Sequence, residues 1–303
     1  MDLSRRGFLT VSSMALGAAY LRDVRLLAQD APATKFQDLR RGAGIFTGRG
    51  GTIGWVITQD NTVVVDSQYP DTAKVCLAGL QGRASHPIDF LINTHHHVDH
   101  TAGNPVFRPA VTKIVAQRGE PALQLQAAQA SNTLAAQVYP DTLFSTDWKM
   151  VLASETVHAH YYGPGHTGAD IVVAFENAAV VHMGDLVWNR WHPFVDRPAG
   201  ASILNWVKIL DQVANEHPTD TVFVFGHGKA SAGVTGKRDD LRHFRDYFTA
   251  VLDYVRRGMQ TGKSKEEIAK LDVLPGFEDY EAPSKTITLG AVLGVAYDEL
   301  SAA

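Results

Sequence analysis

Apolar residues fall along the chain in short runs broken by glycine, proline and small polar residues. Residues 52–58 and 62–65 alternate or run apolar on either side of Gln59-Asp60-Asn61, which predicts a β-hairpin. Further runs predict strands at 89–93, 113–115, 155–161, 170–175, 178–182 and 221–225. Other stretches predict helices: 71–80 behind Pro70, 120–137, 205–213, 237–257 and 289–300. Ser264-Lys265-Glu266-Glu267 fits a capping box opening another helix. Strands in runs with helices between them predict an α/β fold of two sheets sandwiched by helices.

Several predicted strands end in the same chemistry. Thr94-His95-His96-His97-Val98-Asp99-His100 follows the apolar run Phe90-Leu91-Ile92. His166 lies in Gly163-Pro164-Gly165-His166-Thr167-Gly168, Asp185 in Met183-Gly184-Asp185, and His227 in Gly226-His227-Gly228. Each has glycine beside or near it, which permits the tight turns that strand-to-loop exits need. Neutral imidazole and carboxylate are donors that suit zinc and similar divalent ions. In an extended segment side chains alternate faces, so His95 and His97 would share one ion while His96 points away.

The string His95-x-His97-x-Asp99-His100, followed in order by His166, Asp185 and His227, resembles the metallo-β-lactamase-fold superfamily over about residues 40–230. The resemblance implies a four-layer αββα sandwich and a two-metal site. His95, His97 and His166 would hold the first metal. Asp99, His100 and His227 would hold the second, and Asp185 would bridge them. Asp66, at the end of a strand, matches a structural carboxylate near the metal loop. Zinc is the expected metal, while iron or manganese also fit nitrogen and oxygen donors. The implied chemistry is hydrolysis by a hydroxide held between the metals, with Asp99 orienting it.

Asp185 narrows the class. Glyoxalase II-like thioesterases and dinuclear lactonases carry aspartate at this place, whereas metallo-β-lactamases usually carry cysteine. The resemblance therefore implies a hydrolase of an ester, lactone or thioester. The alternatives are a periplasmic β-lactamase, an iron-dependent oxidoreductase and a non-catalytic metal binder. Trp188, Arg190 and Trp191, just past Asp185, read as a pocket mouth, aromatic with one cation. His182 and Tyr162 are candidate neighbours of the centre. His158 and His160 share one strand face and read as packing residues.

Composition changes the picture at the chain ends. Of 303 residues, 45% are hydrophobic and 20% charged, as in a soluble globular protein; the small-molecule substrate is what the resemblance implies. Ser4-Arg5-Arg6-Gly7-Phe8-Leu9-Thr10 and the small apolar run after it resemble a twin-arginine export signal. That run falls short of the roughly 20 residues a membrane span needs. Residues 1–33 read as this signal, implying a periplasmic or otherwise exported protein. Residues 34–235 read as the catalytic domain and 236–303 as a helical extension packed on it. A net charge of −4 and the lack of a clustered basic stripe argue against nucleic acid as a partner. Lys237, Arg238, Arg242 and Arg245 read as a solvated helix face. Cys76 is the sole cysteine, so no intrachain disulfide can form, and it reads as a small buried hydrophobe.

Overall fold

A computed structural model describes residues 34–302. The twin-arginine segment lies outside the described residues. The first sheet contains β1 (Lys35–Arg40), β2 (Ala43–Thr47), β3 (Ile53–Ile57), β4 (Thr62–Val65), β5 (Ile88–Ile92), β6 (Val111–Gln117) and β7 (Thr142–Phe144), in that spatial order. Strands β1 to β4 pair antiparallel, and β4 to β7 pair parallel. The second sheet runs in the order β15 (Thr235–Gly236), β13 (Val222–Val224), β11 (Val180–His182), β10 (Val172–Phe175), β9 (Thr156–His160) and β8 (Asp147–Val151). A short parallel ribbon joins β12 (Trp188–Asn189) to β14 (His227–Gly228).

The two-residue strand period builds the layers. Val63 and Val65 of β4 face the core between the sheets, whereas Val64 faces outward into a second core. That outer core is covered by α1 (Pro70–Gln81) and α3 (Asn104–Phe107), through Ala73, Cys76, Leu80 and Phe107. On the second sheet, Val173 and Phe175 face the first sheet, while Val172 and Ala174 face the other side. There they meet α5 (Ile203–Glu216), α6 (Arg238–Gln260) and α8 (Leu289–Ser301). A sheet covered on both faces needs apolar residues at successive positions, which is why β4 and β10 are buried throughout. The result is the αββα sandwich that the sequence resemblance implied.

Five elements differ from the sequence expectation. The helix expected over 120–137 ends as α4 (Glu120–Ala130), because Asn132 turns left-handed at φ 54° and only a 3₁₀ turn follows. β1 and β2 precede the expected hairpin, and β7 and β8 lie between α4 and β9; the pattern predicted none of them. The capping box at Ser264 is present and opens α7 (Lys265–Ile268). No helix among the described residues is long and apolar enough to cross a membrane.

Candidate metal centre

The chemistry gathers where strands of both sheets end. After β5 the chain bends at Thr94 and His95 and enters α2 (Val98–Thr101). β11 delivers Asp185, the turn before β10 delivers His166, and β13 leads to His227. Close packing demands glycine here: a Cβ on Gly226 would run into Asp185 Oδ1, and one on Gly51 would run into the His100 ring.

Two donor sets form. His95 Nε2 and His166 Nε2 both approach His97 Nδ1, at 3.1 and 2.9 Å. Asp185 Oδ2 lies 3.8 Å from His95 Nε2 and 3.4 Å from His166 Nε2. In the other set, His227 Nε2 is 3.0 Å and His100 Nε2 3.6 Å from Asp99 Oδ2. Asp185 reaches this set too, with Oδ1 3.0 Å from His100 Nε2 and Oδ2 3.3 Å from His227 Nε2. The groups His95, His97, His166, Asp185 and Asp99, His100, His227 each have the geometry to hold an ion.

The outer nitrogens of four rings are already engaged. His166 Nδ1 donates to Phe194 O at 2.7 Å, and His97 Nε2 donates to Asp196 Oδ2 at 2.9 Å. His100 Nδ1 donates to Asp66 Oδ2 at 2.7 Å. His95 Nδ1 donates to Thr94 Oγ1 at 3.0 Å, because that hydroxyl gives its own proton to Asp66 Oδ2 at 2.8 Å. Each ring therefore turns a lone pair inward, the tautomer that a metal requires. Asp99 and Asp185 are buried with both carboxylate oxygens lacking hydrogen bonds, as are His100 Nε2 and His227 Nε2. Their neighbours are close but not aligned as hydrogen-bond partners. Buried charges left this way are costly, and two divalent ions are the natural counter-charge. The donor sets thus fit the metals that the fold implies.

The electrostatics agree with that fit. Burial pushes His95 well below the usual imidazole range and His166 down to about 3, so both rings stay neutral. Burial opposes charge on His227 as well, yet Asp185 and Asp99 outweigh it and raise the ring to about 9. Burial would raise Asp185, but His227 and His100 hold it well below the carboxylate range. The centre draws positive charge to itself.

The supporting shell is partly the expected one. Asp66 adopts φ 65° and accepts from Thr94 N at 2.7 Å as well as from Thr94 Oγ1 and His100. The left-handed turn aims its carboxylate beneath the histidine motif, and aspartate tolerates that conformation better than most residues. His182 is buried, donates from Nε2 to Thr52 O at 3.0 Å and accepts from Gly184 N at 3.1 Å, so it fixes the turn that presents Asp185. Trp188 is buried with its ring centroid 4.4 Å from that of His227.

Other expectations need correction. His96 belongs to neither donor set but stays beside them: its ring lies 4.5 Å from that of His97 and its Nε2 3.8 Å from Asp196 Oδ2. The segment bends after β5, so strand alternation does not apply there. Tyr162 lies apart from the centre, because the β9 period continues past its end and sets its ring, tilted, 4.1 Å from that of His160. Its hydroxyl donates to Glu216 Oε2 at 2.7 Å. Arg190, at φ 61°, turns to Asp279 at 2.6 Å rather than toward the centre. Trp191 is half-buried, and its backbone pairs with Glu281.

Sequence reasoning missed two residues close to the histidines. Phe194 places its ring 5.7 Å from that of His97, and Asp196 binds the outer nitrogen of that same ring. Asp196 also caps a turn, accepting from Ala199 N at 3.2 Å, and its Asp-Arg-Pro context reads only as that turn.

Comparisons with known proteins accord with the geometry. The model of the metallo-beta-lactamase superfamily matches residues 46–227. A protein of Methanocaldococcus jannaschii named as a probable metallo-hydrolase is 23% identical over 187 residues, covering 58% of this chain and 86% of its own. The stereoselective inverting sec-alkylsulfatase of a Pseudomonas species superposes with a TM-score of 0.67 at 17% identity. That likeness covers 93% of this chain, which spans about half, 54%, of the sulfatase. A metallo-beta-lactamase of Pontibacter korlensis superposes with a TM-score of 0.58 at 20% identity, over 71% of this chain and 99% of its own. The matched segment opens within β2 and closes on His227, so it contains both donor sets, and the chain belongs to the metallo-beta-lactamase superfamily of metal-dependent hydrolases.

Proposed function

We propose that the protein is a dinuclear hydrolase that cleaves an ester, lactone or thioester bond of a small molecule. The observation that carries this reading is the position of Asp185, whose carboxylate stands within 3.4 Å of His166 on one side and 3.3 Å of His227 on the other. One carboxylate shared by two sets suits a pair of zinc ions. Bound there, divalent ions supply Lewis acidity and bring a water's pKa toward about 7.

The chain's own groups do the rest. Asp99 keeps both oxygens clear of other hydrogen bonds beside His227, whose side chain is 14% exposed and marks the open side of the centre. There Asp99 accepts a hydrogen bond from the attacking water and orients it toward the substrate carbonyl. Asp66, Asp196 and the Phe194 carbonyl hold His100, His97 and His166 in one tautomer. Trp188 and Phe194 give the centre apolar neighbours that keep water out and strengthen electrostatic contacts.

The bond type follows from the leaving group. An alkoxide or thiolate departs more readily than an amide nitrogen, which usually needs a proton donor. The Tyr161 hydroxyl donates to Gly168 O at 2.8 Å and the Tyr162 hydroxyl to Glu216, so neither phenol is placed to protonate an amine. The test is kcat/KM for a lactone, a thioester, a secondary alkyl sulfate and a cephalosporin on one metal-loaded preparation. The carboxylic ester and thioester bonds should lead. A cephalosporin or alkyl sulfate value higher by about tenfold, or about 1.4 kcal/mol of barrier, would overturn the assignment.

A further inference from the structure

We propose that the outer face of the second sheet carries a separate site for a borderline divalent transition ion such as zinc or copper, built from His158, His160 and Asp147. It shares no residue with the centre described above. His158 Nε2 lies 2.9 Å and His160 Nδ1 2.6 Å from the same oxygen, Asp147 Oδ1. One ligand atom from each of the three residues falls within 4.8 Å of the others.

Backbone pairing builds the arrangement. The two-residue period of β9 sends Val157 and Ala159 into the inter-sheet core and His158 and His160 to the opposite face. The antiparallel register sets Asp147 of β8 directly across from His160. The donors are therefore fixed by strand pairing before any ion arrives, which lowers the ordering cost of binding. The His158 and His160 side chains are 31% and 27% exposed, so they are partly desolvated yet reachable. A cavity of about 510 Å³ opens beside them, lined also by Tyr162, Glu216 and His217, with room for water to complete a coordination shell. His217 Nε2 is buried without a hydrogen-bond partner.

The alternative is a plain hydrogen-bond cluster in which both rings donate to Asp147. Those contacts hold the Asp147 carboxyl below its usual range, so it is already the ionised ligand that an ion needs. An ion replaces the two ring protons without net proton release. Each imidazole then carries its proton on its other nitrogen, which on His158 is Nδ1, 3.6 Å from Glu176 Oε1. Two imidazoles and one carboxylate favour zinc, copper or nickel over magnesium or calcium.

The experiment is equilibrium dialysis of the metal-loaded protein against zinc, followed by elemental analysis. Wild type is compared with His160→Ala and Asp147→Asn. Wild type should hold one more zinc per chain than either variant, while all three keep the same turnover. Equal zinc totals would overturn the proposal. The difference between proteins is independent of how many ions the interior holds, so failure of the dinuclear reading shifts all totals together and leaves this result legible. Should either variant lose turnover or melt early, His160→Gln, which conserves shape, takes its place, and the same equality of totals decides.

Discussion

Asp66→Asn isolates the contribution of one carboxylate that no substrate touches. Asp66 is fully buried, and its two oxygens accept from Thr94 N, Thr94 Oγ1 and His100 Nδ1. Asparagine keeps the shape and also tolerates the left-handed backbone at this position. It cannot keep the bonding. If its oxygen stays under Thr94 N, its amide faces Thr94 Oγ1 and His100 Nδ1 with hydrogens. His100 must then carry its proton on Nε2, aimed at Asp99 and Asp185, where a metal lone pair is needed. A hydrogen bond to a charged acceptor is worth about 1.5–3 kcal/mol. Loss of such a partner typically costs about 10–100-fold in metal affinity, or about 1.4–2.8 kcal/mol. The two figures agree, and both place the loss mainly on the set containing His100. Competition with a chromophoric chelator measures each ion's affinity, and circular dichroism checks the fold. A variant that binds both ions as tightly as wild type would refute the argument that Asp66 sets the His100 tautomer.

Two further outcomes follow from the same geometry. Asp185→Asn should weaken both ions at once and lower turnover by about a thousandfold or more, because the amide loses the charge shared by the two sets; loss of only one ion on elemental analysis would contradict the bridging position. Glu120 is buried with neither carboxyl oxygen hydrogen-bonded, and burial raises its pKa from 4.5 to about 8. Between those values the folded protein holds a proton that the unfolded chain has released. Stability therefore falls as pH rises through that window, by up to about 1.4 kcal/mol per unit. Urea midpoints at several pH values should show this slope in wild type and its loss in Glu120→Gln; parallel slopes would contradict it.

The sequence disclosed the centre better than its surroundings. The seven inward donors follow strand ends, four in one compact motif and three beside glycine, and these features are local. Asp196 was not legible, since it meets His97 across 99 residues of chain and locally looks like a turn cap. The pattern also hid β1 and β8. Both are edge strands rich in exposed positions, so they lack the apolar alternation that marks a buried strand. The end of α4 depended on the left-handed Asn132, which helix periodicity does not register. Arg190 illustrates the opposite error: a cation in an aromatic segment suggested an anchor for substrate, but its partner Asp279 comes from the C-terminal segment.

The donor sets divide between the two sheets. His95, His97, Asp99 and His100 follow a strand of one, while His166, Asp185 and His227 flank strands of the other. An ion bound to both halves acts as a cross-brace in a chain whose single cysteine rules out an internal disulfide. The brace closes long loops, with 69 residues separating His97 from His166. Its halves meet only when the inter-sheet core has formed, so apparent metal affinity is the intrinsic affinity scaled by the fraction of chains with docked sheets. Trimming Val173 or Phe175, which touch no ion, should loosen metal retention through that fraction alone, and the metal in turn reports on how firmly the sandwich is shut.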